Sequence, residues 1–109
     1  MACYFFDIDG TLTQYHTGKW LPGAKEYLEA LAKRGHQIVF VTMRSNKRDA
    51  GKEWSEEKTE ELLSELSFSY TILFDCKSPR IIYDDSKVFA EKRKQNSDWW
   101  KELEALERE

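Results

Sequence analysis

The sequence CYFFDIDGTLT, residues 3–13, decides the fold. A short apolar run ends abruptly at two aspartates, Asp7 and Asp9, and Gly10 and Thr11 follow directly. An aromatic run with little alternation is typical of a β-strand that is buried on both faces. Two carboxylates beside such a strand repel each other, and each raises the pKa of the other unless positive charge lies nearby. The rest of the chain must therefore provide a cation or bind one.

Three further apolar runs have the same strand-like composition: IVFV (38–41), YTILF (70–74) and IIY (81–83). The segments PGAKEYLEALAKRG, SEEKTEELLSEL and SDWWKELEALERE place their apolar residues on one helical face. Alternating strands and helices predict an α/β fold, a doubly wound three-layer sandwich around a mostly parallel central sheet. We expect a single domain over residues 1–109, and we interpret Trp99 and Trp100 as packing residues.

The composition limits the classes of function. The formal net charge of −3 at pH 7 does not favour general binding to nucleic acid or to a membrane. No apolar stretch is long enough to span a bilayer, and the N-terminus lacks the basic-then-apolar pattern of a signal peptide. Cys3 and Cys76 have neither C-x-x-C nor metal-ligand spacing, which indicates reduced thiols. We therefore expect a cytoplasmic protein without a membrane partner.

Polar side chains end all four predicted strands. They are Asp7, Thr42, Asp75 with Lys77 close behind, and the pair Asp84 and Asp85. In open parallel sheets, ligands bind beyond the carboxyl ends of the strands. Several carboxylates without a nearby His or Cys are the hard oxygen ligands that Mg²⁺ prefers. A magnesium ion and a lysine at one edge would bind a dianion such as phosphate, and an aspartate beside that phosphate can act as a nucleophile.

These residues, in this order, resemble the four motifs of the haloacid dehalogenase-like hydrolases. The segment DIDGT (7–11) is similar to the first motif, Thr42 to the second, Lys77 to the third and Asp84-Asp85 to the fourth. The segment FDCKSPRIIYDDSK (74–87) also resembles small members without a cap domain, which are often phosphatases. The resemblance implies a magnesium-dependent phosphomonoester hydrolase with an aspartyl-phosphate intermediate. The alternative is a non-catalytic phosphate-binding or regulatory module on the same fold.

The resemblance also assigns catalytic roles. Asp7 would attack phosphorus, and Asp9 would protonate the leaving oxygen and then activate water. Thr42 would donate a hydrogen bond to a phosphoryl oxygen, and Lys77 would offset the charge of the phosphate. Relatives that dehalogenate carbon lack an acid at the position of Asp9, so its presence favours phosphoryl transfer. A non-catalytic binder would not need that acid.

The magnesium ligands implied by the resemblance are the Asp7 carboxylate, the carbonyl oxygen of Asp9 and the acids of the fourth motif. Of those acids, Asp85 would bind directly and Asp84 through a water molecule. Between Lys77 and the fourth motif there is no room for the helix that many relatives have there. Lys58, near the start of the second predicted helix, is therefore a rival for the role of the third-motif lysine.

The gaps that hold a cap domain in larger relatives are short here, so we expect a capless enzyme with an open site. Candidate substrate contacts are Gly10, Thr11, Met43 and Arg44. Two loops add cationic and aromatic side chains, namely Arg44, Lys47, Arg48 and Lys52 in one, and Tyr15, His16, Lys19 and Trp20 in the other. They favour a polyanionic or nucleotide-like substrate, such as a phosphorylated nucleic-acid end, over a small sugar phosphate. Alternatively, a partner subunit could cover the open site, so a homo-oligomer is a second possibility.

Overall fold

In a computed structural model of the chain, residues 1–15, 17–47 and 54–109 are described. Their elements, in chain order, are β1 (Cys3–Phe6), α1 (Ala24–Lys33), β2 (Gln37–Val41), α2 (Glu56–Leu63), β3 (Thr71–Leu73) and α3 (Trp100–Glu107). The three strands form one parallel sheet in the order β1-β2-β3, in which Phe6 pairs with Phe40 and Phe40 with Ile72. The predicted α/β class and parallel sheet are confirmed for these strands. Among the described residues, no helix is both long and apolar enough to cross a membrane.

The fourth predicted strand, residues 81–83, is not formed. Ile81, Ile82 and Tyr83 lie in an irregular, exposed segment. The side chain of Arg80, just before this segment, donates to the carbonyl of Cys76 at 2.8 Å, which closes a loop after β3. An apolar run of three residues offers few ladder hydrogen bonds to oppose such a loop. In the sheet of the described residues, β1 and β3 are the edge strands, and the doubly wound sandwich stays a prediction.

Local signals in the sequence account for the first two helices. Gly23, with φ +81°, stands before α1, which buries Ala24, Leu28 and Leu31. Such a positive φ strains residues that carry a Cβ, so glycine suits this position. The hydroxyl of Ser55 accepts a hydrogen bond from the backbone N–H of Lys58, as expected of an N-cap at the start of α2. Capping and periodicity are local properties, which explains why both helices lie where the sequence predicts them.

The tail packs against the start of the chain through Trp99. This side chain is 4% exposed, and its ring lies against those of Phe6 and Tyr27 at centroid distances of 5.8 and 5.2 Å. Its indole N–H donates to the carbonyl oxygen of Thr11 at 2.8 Å. Trp100, at 49% exposed, packs more loosely. Trp99 therefore connects the hydrophobic core with the loop that carries the two aspartates.

Truncation of Trp99 should destabilise the fold far more than truncation of its neighbour. Removing a buried aromatic side chain typically costs about 3–5 kcal/mol, so we expect a loss of this size in the free energy of unfolding for Trp99→Ala, measured by urea denaturation. Trp100→Ala is the matched control and should lose much less. Equal losses for the two variants would contradict the assigned packing.

Candidate active site

The loop after β1 closes on itself through backbone hydrogen bonds. The carbonyl oxygen of Ile8 accepts from the N–H groups of Thr11, Leu12 and Thr13, and the N–H of Gly10 donates to Thr13 at 2.8 Å. Gly10 has φ +84°, a conformation that favours glycine. The N–H groups of Gly10 and Thr11 are thus used within the loop, and their contacts with substrate stay predictions.

A segment near the C-terminus holds this loop in place. The N–H of Asn96 donates to the carbonyl of Gly10 at 2.8 Å, and its side-chain oxygen accepts from the N–H of Tyr15 at 2.9 Å. Asn96 has φ +63°, and asparagine is one of the few residue types that tolerate this region. Sequence reasoning missed this contact. Its one local signal is an asparagine beside a serine, which is also typical of an ordinary turn.

Asp9 forms a buried ion pair with Arg44. The guanidinium donates to both carboxylate oxygens, with Nε 2.8 Å from Oδ2 and NH2 2.7 Å from Oδ1. The two side chains are 10% and 5% exposed. NH1 of Arg44 also donates to the hydroxyl of Thr59 on α2 at 3.2 Å, and the backbone N–H of Arg44 donates to Thr42 Oγ1 at 3.1 Å. Arg44, which we expected at the substrate, is turned inward to Asp9, and its contact with substrate stays a prediction.

Asp7 pairs with a different arginine, Arg80, through longer contacts. NH1 and NH2 of Arg80 lie 3.5 and 3.4 Å from Asp7 Oδ1, while Oδ2 accepts a hydrogen bond from the Thr11 hydroxyl at 3.0 Å. Burial raises the pKa of the Asp7 carboxyl above its usual value, and the negative charge of Asp9 adds to this. The Thr11 hydrogen bond and the charge of Arg80 act in the opposite direction. The positive charge that the aspartate pair requires is thus supplied by one arginine for each acid.

Thr42 follows directly on β2 and is buried. Its N–H donates to the carbonyl of Leu73 at 3.0 Å, which continues the sheet by one residue. Met43, the next residue, has an exposed side chain. Thr42 therefore lies at the same edge of the sheet as the loop of Asp7 and Asp9.

Among the described residues, neither candidate lysine forms an ion pair with Asp7 or Asp9. Lys77 is exposed in the loop after β3, and its ammonium group has no hydrogen bond or ion pair within residues 1–15, 17–47 and 54–109. Lys58 is exposed on α2, with Nζ 3.5 Å from Glu61 Oε2. The assignment of the third-motif lysine stays a prediction.

The predicted magnesium ligands are not brought together. Asp84 and Asp85 are exposed in the irregular segment, where Asp84 Oδ1 accepts from the N–H of Ser86 at 2.9 Å. In the part of the chain that the structure describes, no three His, Cys, Asp or Glu side chains are grouped so as to hold a metal ion. The described side chains of Asp7, Asp9, Asp84 and Asp85 therefore do not form one metal site. Their role as magnesium ligands stays a prediction.

A groove of 420 Å³ opens beside Asp9. Its lining combines polar, charged and aromatic side chains from several parts of the chain: Asp9, Thr17, Gly18, Arg44, Trp54, Lys58, Glu61, Leu62 and Glu65. In the loop that we expected at the substrate, Trp20 donates its indole N–H to Glu65 at 3.2 Å, and the ring of Tyr15 lies edge-on to Trp54. The predicted contacts His16, Arg48 and Lys52 lie outside the described residues.

Comparison with known proteins gives a match to one family. A family model described as haloacid dehalogenase-like hydrolase matches residues 4–69. The matched segment includes Asp7, Asp9 and Thr42, and it ends before Lys77 and the acids of the fourth motif. Neither a comparison with curated proteins nor one with solved structures gives a match.

Breaking the Asp9–Arg44 pair should destabilise the fold strongly. Removal of one partner leaves a buried charge uncompensated, which typically costs about 3–5 kcal/mol. We expect this loss in the free energy of unfolding for both Asp9→Ala and Arg44→Met, and a loss smaller than their sum in the double variant. Urea denaturation of the four proteins gives the coupling energy.

The exposed pair Lys25–Glu65, with Nζ 2.9 Å from Oε1, provides a matched control. Lys25→Met should cost about 0–1 kcal/mol, as is usual for a surface ion pair. Strictly additive losses for Asp9→Ala and Arg44→Met would show that the two side chains do not interact as described.

Proposed function

Because the chain belongs to the haloacid dehalogenase-like hydrolase family, we propose that it hydrolyses phosphomonoesters through an aspartyl-phosphate on Asp7. The observation that carries the proposal is the pair Asp7 and Asp9 at the end of β1, each accompanied by an arginine. An acid placed beside a nucleophilic carboxylate can protonate an alkoxide leaving group. A hydrolysis screen over diverse phosphomonoesters, with and without Mg²⁺, is the first test.

In the first proposed step, an oxygen of Asp7 forms a bond to phosphorus while the bond from phosphorus to the ester oxygen breaks. Thr11 engages Oδ2, so Oδ1 is the oxygen better placed to attack. Asp9, which must first take up a proton from water and give up one of its hydrogen bonds with Arg44, passes that proton to the departing oxygen. In the second step, a water molecule loses a proton to Asp9 and attacks phosphorus, which releases inorganic phosphate and restores the Asp7 carboxylate.

The ion pair with Arg44 bears on the role of Asp9. Both oxygens of this carboxylate accept hydrogen bonds from the guanidinium. To carry a proton to the leaving group, Asp9 must exchange one of these bonds for a contact with the ester oxygen. The groove beside Asp9 gives the leaving group a route to that contact.

We propose Mg²⁺ as the cofactor because members of the family typically use it and because carboxylate oxygens suit this ion. The described arrangement does not assemble the predicted ligands, and the two steps above use only side chains of the chain and water. We expect Mg²⁺ to support activity, Mn²⁺ to substitute for it, and Ca²⁺ to bind without supporting turnover. Undiminished activity after thorough chelation would refute the metal requirement.

Asp7→Asn should abolish turnover and also stabilise the fold. The amide cannot attack phosphorus, and it avoids the cost of a partly buried carboxylate, which is the main cause of the raised pKa of Asp7. We expect no hydrolysis and a higher free energy of unfolding in metal-free buffer at neutral pH. Activity close to that of the parent protein would exclude the covalent mechanism.

Asp9→Asn should fail differently because it leaves the nucleophile in place. Loss of general acid–base catalysis typically costs on the order of 10²–10⁴-fold in rate. Aryl phosphates, whose leaving groups need little protonation, should lose less in the first step than alkyl phosphates. Single-turnover kinetics measure that step, and equal losses for the two ester classes would argue against the proposed role.

The substrate class is a further part of the proposal. The exposed side chain of Lys47 favours a polyanion, such as a phosphorylated nucleic-acid end. The inward position of Arg44 and the carboxylates of Glu61 and Glu65 in the groove favour a smaller leaving group with hydroxyls, such as a sugar. A salt series on a 3′-phosphorylated oligonucleotide and on sugar phosphates separates the two, because binding to a nucleic-acid backbone weakens steeply with salt.

A further inference from the structure

We infer that Arg80 is the cation that binds the phosphate beside Asp7. Its guanidinium lies 3.4 Å from Asp7 Oδ1, the oxygen that the Thr11 hydroxyl leaves unengaged. The inference rests on the proposed function, since it concerns the phosphate of that same site. It differs from the assignment of this role to Lys77.

The contacts of Arg80 are suited to holding a ligand. NH2 donates to the carbonyl of Cys76 at 2.8 Å, which fixes the position of the guanidinium. Its distances to Asp7, 3.4 and 3.5 Å, exceed those usual for a charged hydrogen bond. The side chain is 28% exposed, so donors on the planar group remain accessible from solvent. A guanidinium anchored at one nitrogen can therefore direct further N–H groups at a phosphate bound to Oδ1.

Arg44, the cation that is paired with Asp9, is unsuited to this role. Arg44 makes two short hydrogen bonds to Asp9 and a third to Thr59, and its side chain is 5% exposed. To bind phosphate, it would have to leave Asp9 as an uncompensated buried charge. Arg80 gives up only a loose contact when a dianion approaches Asp7. Because the Arg80–Asp7 contact is longer and more exposed than the Arg44–Asp9 pair, Arg80 is the arginine that can bind the phosphate.

The direct test is binding of inorganic phosphate by isothermal titration calorimetry at one fixed Mg²⁺ concentration. Arg80→Gln removes the charge, and Arg80→Lys keeps the charge without the planar fork. Lys77→Gln tests the rival cation, and Arg108→Gln, at an arginine that is 73% exposed, is the matched control. We expect Arg80→Gln to weaken binding by roughly tenfold or more, as for the loss of a charged hydrogen bond. Arg80→Lys should lie between this variant and the parent. Lys77→Gln should weaken binding less than Arg80→Gln does, and Arg108→Gln should bind as the parent does.

A second measurement uses the unmodified chain and does not depend on the folding of a variant. Phenylglyoxal modifies accessible guanidinium groups, and peptide mass spectrometry locates the modified residues. We expect phosphate to protect Arg80 in a concentration-dependent way. Absence of protection, absence of phosphate binding by the parent chain, or an effect of Lys77→Gln at least as large as that of Arg80→Gln would overturn the inference.

The outcomes also separate this inference from the proposed function. If phosphate binds in an Arg80-dependent way but no phosphomonoester is hydrolysed, the inference holds and the proposed function fails. If hydrolysis occurs and phosphate binding depends on Lys77 instead, the proposed function holds and the inference fails.

Discussion

The buried ion pair between Asp9 and Arg44 is the interaction on which the rest of the site depends. It joins the loop after β1 to the segment after β2, and through Thr59 it reaches α2. Taking two charges out of water is costly, and only close geometry with further hydrogen bonds offsets that cost. Here both carboxylate oxygens are engaged, and the guanidinium also contacts Thr59. The pair therefore fixes where Asp9 lies relative to the strand ends.

The two aspartates have different surroundings, and this difference suits different roles. Asp7 is 32% exposed and has only a loose contact with Arg80, so the proposed nucleophile can exchange that contact for an incoming phosphate. Asp9 is tightly paired beside a groove, as befits a group that meets the leaving oxygen. The tail holds the loop that carries both aspartates, because Asn96 donates to the carbonyl of Gly10 and Trp99 donates to the carbonyl of Thr11.

Much of the fold could be predicted from the sequence because it depends on local patterns. Three strands, the cap at Ser55 and the packing role of Trp99 follow from composition, periodicity and residue type. The prediction of a strand at 81–83 was wrong, since three apolar residues do not reveal whether a neighbouring strand is available to pair with them. The pairing of Arg44 and Arg80 with the aspartates could not be predicted, because an arginine in a polar loop looks the same whether it is solvated or turned inward. Contacts across more than thirty residues have no local signal.

The central claim is that Asp7 carries the phosphoryl group, and trapping the intermediate tests it most directly. The chain is mixed with a phosphomonoester that it turns over, quenched in acid within the first turnover and treated with borohydride, which reduces an acyl phosphate. Digestion with trypsin releases residues 1–19 as one peptide, which contains both Asp7 and Asp9. Fragment masses then distinguish the two acids. The account predicts reduction at Asp7, and turnover without a trapped adduct at Asp7, or with the adduct at Asp9, would contradict it.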